Sequence, residues 1–168
     1  MKSILFVCTG NTCRSSMAEA LFKKLLEDKG ISKYRFKISS AGTCAWDGDN
    51  ASPQAIQVLE EKGIDIRNHL STPLTPKLIK ETDLILTMTV NHKMGVEQMR
   101  PKAKGKVFTL KEYVLNNGKK LEKSKVSFEE ANDDIYDIRD PFGQPVEVYS
   151  KCVEEIEEYL HKLVEKII

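Results

Sequence analysis

The chain lacks an excess of either charge: 26 Lys and Arg stand against 25 Asp and Glu, for a net charge of +1. Without a basic stripe, nucleic-acid binding is not expected. No uninterrupted apolar run is long enough to span a membrane, so no membrane partner is expected either. Met1-Lys2-Ser3 leads straight into an apolar strand pattern, which argues against a signal peptide at that end. Cysteine and histidine are sparse. Cys8, Cys13, Cys44 and Cys152 show no paired metal spacing and His69, His92 and His161 are scattered, so no metal site is expected. The same four cysteines fit a reducing cytoplasm better than a disulfide framework. With neither staple, 168 residues still suffice for a core, and one domain over 1–168 is expected.

Against these absences, residues 3 to 30 are dense in signal. Ile4-Leu5-Phe6-Val7 reads as a buried strand that delivers Cys8 into the turn Thr9-Gly10-Asn11-Thr12-Cys13, closed by Arg14 and Ser15. Ala18, Leu21, Phe22, Leu25 and Leu26 then share one helical face. A strand thus presents a thiol, a tight loop follows, and a helix N-terminus points at the same spot. Such an end carries partial positive charge and free N–H groups, a site for an anion. The dipole and Arg14 together favour a thiolate at Cys8, which reads as a nucleophile under a bound oxyanion. The plainer alternative is a strand-end cysteine packed as a small hydrophobe.

The rest of the chain alternates strand and helix signals. Tyr34 to Ser39 alternates apolar and polar residues as a second strand. Ser52-Pro53 and Thr75-Pro76 pair a capping hydroxyl with a proline at the first helical position; the first of these helices should end near Gly63. Leu84-Ile85-Leu86 reads as a central strand, Asn91 to Arg100 as a helix stopped by Pro101, and Val107 to Leu110 as a fourth strand. Leu115 to Arg139 reads as a long polar connection, and Val146 to Ile168 as a closing helix with Cys152 on its apolar face. The alternation predicts an α/β fold with a parallel sheet, whose ligands bind beyond the carboxyl ends of the strands, where strand order reverses. Cys8 lies at such an end.

A thiolate that attacks phosphorus needs a partner to protonate the leaving group. Asp140, in Asp140-Pro141-Phe142-Gly143, is the candidate: beside a phosphate dianion and a thiolate it should hold its proton and act as a general acid. Locally, Asp-Pro is also an ordinary turn starter.

Four segments together resemble the low-molecular-weight protein-tyrosine-phosphatase family. They are Val7-Cys8-Thr9-Gly10-Asn11-Thr12-Cys13-Arg14-Ser15, Ser40-Ala41-Gly42, Asp83-Leu84-Ile85-Leu86-Thr87-Met88 and Asp140-Pro141-Phe142-Gly143, in family order. The resemblance implies a four-stranded parallel sheet with helices on both faces and hydrolysis of phosphorylated proteins through a cysteinyl-phosphate, with no cofactor. It makes Cys8 the nucleophile, Arg14 the bidentate phosphate grip, and Asp140 the acid that later activates water. Thr9, Gly10, Asn11, Thr12 and Cys13 would cradle the phosphate, with Trp46 and Phe142 beside the substrate. Ser15 would bond the thiolate, Asn11 would hold the loop in shape, and His69 would support it from behind. Ser16 stands where many members have proline, a change expected to loosen the loop slightly. Cys13 shares the loop with Cys8, so oxidation is expected to join the two.

Thr12 and Phe142-Gly143 resemble the bacterial protein-arginine-phosphatase branch, which favours phosphoarginine. Trp46 lies where tyrosine-specific members place an aromatic wall, which keeps phosphotyrosine open. Arsenate reductases of this fold need further cysteines after the third strand, where this chain has Thr87, Thr89 and Asn91. A non-catalytic phosphoprotein-binding module would be expected to lose Cys8 or Asp140, and both are present.

Overall fold

The computed structural model describes residues 1–119 and 133–168. Its sheet has four parallel strands: β1 (Lys2–Cys8), β2 (Phe36–Gly42), β3 (Leu84–Thr87) and β4 (Val107–Thr109), in the order β2-β1-β3-β4. The helices are α1 (Arg14–Asp28), α2 (Pro53–Glu60), α3 (Pro76–Glu81), α4 (Val90–Met99), α5 (Leu110–Leu115) and α6 (Val146–Ile167). Short 3-10 turns occupy Pro101–Lys106 and Asp133–Tyr136.

Alternation along β1 builds two cores, because successive strand side chains point to opposite faces. Ile4, Phe6 and Cys8 join Met17, Phe22, Leu59, Tyr149, Ile156 and Leu160 on the side of α1, α2 and α6. Leu5 and Val7 join Ile79, Ile85, Val96 and Ala103 on the side of α3 and α4. With helices on both faces, β1 is buried on both, which is why it reads as a continuous apolar run. Each fully buried aliphatic side chain of this kind contributes about 1.5–3 kcal/mol. The chain leaves β1 for β2 on one side and later lays β3 on the other, so strand order reverses at β1. Cys8, its last residue, stands at that reversal.

Capping follows the sequence closely. Ser52 Oγ accepts the Ala55 N–H and Thr75 Oγ1 the Leu78 N–H, with proline at the first helical position in both helices. The first of them stops at Glu60, three residues ahead of Gly63, whose φ of 75° takes the chain out of the helix. Elsewhere the boundaries move. Exposed Tyr34 lies outside β2, which begins at Phe36 and runs on through Gly42. Leu110 does not end β4 but starts α5. Thr109 Oγ1 accepts the Glu112 N–H and Glu112 Oε2 accepts the Thr109 N–H, a reciprocal cap that converts the strand end into a helix start. Residues 120–132 of the connection read as irregular lie outside the described residues. Among the described residues, no helix is long and apolar enough to cross a membrane.

Candidate active site

The loop after β1 is held by the groups around it. Asn11 is buried at a φ of 57°, in the left-handed region that costs a side-chain-bearing residue energy. Its amide is fully used: Nδ2 donates to Ser15 Oγ and to Ser40 Oγ, both at 2.9 Å, and Oδ1 accepts the Thr72 N–H at 2.9 Å. Its main-chain oxygen lies 2.7 Å from His69 Nε2. A carbonyl only accepts, so His69 carries its proton on Nε2 and donates. Other loop carbonyls are also tied outward: Cys8 O to Thr43 N–H, Thr9 O to Cys44 N–H and Thr12 O to Ser52 N–H, each at 2.9 Å. None of the N–H groups from Gly10 to Arg14 donates to a protein acceptor among the described residues. The loop therefore turns its carbonyls away and keeps its donors for something else.

Gly42 makes room for this arrangement. A Cβ on it would lie 2.4 Å from the Thr9 oxygen and 2.9 Å from the Asn11 nitrogen, both backbone atoms. Gly42→Ala is therefore expected to push the loop off the sheet, costing about 1–3 kcal/mol of stability and most of the activity at this site. Chemical denaturation and an aryl phosphate assay read the two effects; a variant as stable and active as the parent would show that the contact can relax.

Cys8 sits below a cavity of about 200 Å³ lined by Cys8, Thr9, Gly10, Thr12, Cys13, Arg14, Asp140 and Phe142. Cys8 Sγ is 2.9 Å from Ser15 Oγ. The nearer acceptor for the Ser15 proton is this sulfur, since the Ala41 oxygen stands at 3.4 Å. Arg14 opens α1 and is buried; one terminal nitrogen donates to the Ile138 oxygen at 2.9 Å and the other faces Asp140 Oδ2 at 3.3 Å. Arg14 Nε is buried with no hydrogen-bond partner among the described residues.

Asp140 is half exposed and accepts the Phe142 N–H at 3.1 Å, closing a turn that leaves Phe142 exposed at the cavity rim. The segment before it is pinned to β3 and α4. Ile138 N–H donates to Met88 O at 2.8 Å, and Asp137 Oδ1 caps the Val90 N–H at 2.8 Å.

The sequence-predicted residues thus converge, with three exceptions in placement, the first being Asn11, which is fully buried and is not among the residues lining the cavity. Trp46 does not line the cavity and is 80% exposed; its carbonyl accepts the Ser71 hydroxyl. Cys13 lines the cavity, yet its sulfur faces Ser52 Oγ at 3.4 Å and the Tyr149 hydroxyl at 3.2 Å, so bonding to Cys8 would require leaving both. Burial and the Cys13 contact push the Tyr149 hydroxyl up to about 12, and it remains a donor. Cys152 is buried against the Arg139 carbonyl, its thiol pushed up to about 12 by desolvation, which suits packing rather than reaction. Ser16, at the family's proline position, donates to the Cys13 oxygen at 2.8 Å and so reinforces the first turn of α1 locally. His92 was not legible as a site residue, yet its Nε2 lies 2.8 Å from Thr9 Oγ1.

The sequence profile of the low molecular weight phosphotyrosine protein phosphatases matches residues 3–168. A protein-arginine-phosphatase of Bacillus subtilis is 40% identical over 164 residues, covering 98% of this chain and 95% of that one. The crystal structure of a YwlE mutant from Bacillus subtilis superposes with a TM-score of 0.81 at 38% identity, over 99% of each chain. A low molecular weight protein tyrosine phosphatase from T. tengcongensis superposes equally well, at 0.81 and 38% identity, over 99% of this chain and 100% of that one.

Proposed function

Since the chain belongs to the low molecular weight phosphotyrosine protein phosphatase family, we propose that Cys8 is its nucleophile and that phosphoarginine side chains are its preferred substrates. The observation that carries the first part is the set of unengaged donors above one sulfur: the N–H groups from Gly10 to Arg14 and Arg14 Nε around the Cys8 cavity. A phosphoryl group seated there places phosphorus over Cys8 Sγ and its equatorial oxygens among these donors, where developing charge is stabilised without reorganisation. The Ser15 hydroxyl donates to the thiolate and holds it in line. As the sulfur–phosphorus bond forms and the bond to the leaving group breaks, Asp140 gives that group its proton. It then takes one from the water that hydrolyses the cysteinyl-phosphate. Arg14, which pairs with Asp140 at 3.3 Å, is placed to offer its guanidinium edge to the phosphoryl oxygens, a planar task that lysine would do poorly.

For the substrate side chain, the supporting residue is Thr12, which lines the cavity and carries a hydroxyl. A small polar wall suits a guanidinium better than a flat phenol. Trp46, the residue that would favour phenol, stands outside the cavity lining. Phe142 at the rim favours the second reading, a phosphotyrosine substrate whose ring stacks on it. Thr12→Ile separates the two. The parent should have the higher kcat/KM on phosphoarginine peptides, and the variant should reverse or collapse that ratio by about 10- to 200-fold. A parent that prefers phosphotyrosine peptides would overturn the arginine reading. A cytoplasmic location belongs to this reading, and it is supported by the four free cysteines, which suit a reducing compartment.

A further inference from the structure

His92 stands behind the loop, 83 positions along the chain from Thr9, with its Nε2 2.8 Å from Thr9 Oγ1. It is the third residue of α4, whose first turn is capped by Thr89 Oγ1 accepting the His92 N–H. The side chain is 8% exposed, and Nδ1 is buried with no hydrogen-bond partner among the described residues. A neutral imidazole has a single N–H. On Nδ1 it would be a buried donor with nothing to bond; on Nε2 it meets the threonine oxygen and leaves only a bare lone pair. Orphaned buried N–H groups are the rarer and costlier of the two faults. Desolvation first, and then the Arg14 charge, push the imidazole pKa down to about 4 against the opposing pull of Asp140. The ring is thus neutral under ordinary conditions and its one proton sits on Nε2.

This fixes the direction of the next bond. Thr9 Oγ1 accepts from His92, so its own hydrogen is left for a different acceptor, and Thr9 lines the cavity over Cys8. We propose that His92 is a positioning residue that turns the Thr9 hydroxyl hydrogen toward the phosphoryl oxygens, making the pair an additional donor arm of the anion site. The proposal rests on the reading of Cys8 as nucleophile. No proton is transferred in this step: Thr9 donates a hydrogen bond that strengthens as charge builds on the phosphoryl oxygens, and His92 keeps the hydroxyl oriented.

The experiment is a double-mutant cycle with Thr9→Val and His92→Leu, plus the conservative variants Thr9→Ser and His92→Gln, on a chromogenic aryl phosphate. Each of the first two variants is expected to lose about tenfold in kcat with little change in KM, and to bind vanadate about tenfold more weakly. Together they should lose no more than the larger single loss. Thr9→Ser and His92→Gln, which keep a hydroxyl and an N–H donor at the same places, should recover most of the activity. Additive losses, losses confined to KM, or a Gln variant no better than Leu would overturn the pair. If His92→Leu unfolds, Thr9→Val against Thr9→Ser decides by itself, since equal kcat values would remove the hydroxyl from the site. Cys8→Ser run alongside keeps the two readings apart. Full activity there would sink the nucleophile, whereas its loss beside an additive cycle would sink only the pair.

Discussion

Cys8→Ser should lose at least on the order of 10³-fold in turnover while still binding phosphate or vanadate. The reason is the division of labour in the loop. In the proposed function the nucleophile is one sulfur, whereas the anion grip belongs to other atoms: the N–H groups from Gly10 to Arg14 and the Arg14 guanidinium. Serine keeps the shape and can still bond Ser15, but its hydroxyl is a poor nucleophile without a base beside it. The two halves are measured separately, by hydrolysis of an aryl phosphate and by the rise in melting temperature with added oxyanion. A variant that retains more than a few per cent of parental activity would show that another residue attacks. A variant that loses oxyanion binding as well would show that the sulfur is part of the grip.

The second large effect concerns Asp140. Replacing it with asparagine removes the proposed proton donor but spares the local turn, because an amide oxygen can still accept the Phe142 N–H. The variant is expected to lose on the order of 10²–10⁴ in kcat on a substrate with a poor leaving group. With an activated aryl phosphate, whose leaving group departs without a proton, the loss should shrink. That difference between substrates is the diagnostic result. An equal, small loss on both would move the acid elsewhere, and then Asp137 would have to give up its bond to the Val90 N–H to serve. Asp133 and Asp134 lie on the 3-10 turn Asp133–Tyr136, just before this segment.

Much of this site is written in short stretches of sequence. The apolar run into Cys8, the glycine in the loop and the amphipathic period after Arg14 are local signals, and local signals survive in one dimension. The same holds for Ser52-Pro53 and Thr75-Pro76, where cap and proline sit side by side. Thr109 and Glu112 carried a signal of the same kind, three residues apart, but the apolar run Val107 to Leu110 masked it as strand. Other features were out of reach of local sequence for a physical reason, and the roles of Asn11 and His69 came only with the family resemblance. Asn11 is held by Ser15, Ser40, His69 and Thr72, and Thr9 meets His92 across 83 positions. Such pairings exist only once the sheet has brought the ends of β1, β2 and β3 together. Trp46 errs the other way: a lone tryptophan in a loop invites a role in the pocket, and the fold turns it to solvent.

The bonds that converge on Asn11 have a thermodynamic consequence. They set the loop in its proposed anion-binding shape as part of folding, so its conformational entropy is lost before any ligand arrives. An oxyanion then meets a ready-made concavity, and its affinity is not diminished by the need to order the chain. Linkage makes the relation reciprocal: a ligand that binds only the folded loop stabilises the whole protein by RT ln(1 + [L]/Kd). With phosphate as that ligand, as the proposed function requires, tolerance to heat and occupancy of the loop become a single equilibrium. In a cell rich in phosphate the resting protein would be partly product-bound and correspondingly harder to unfold.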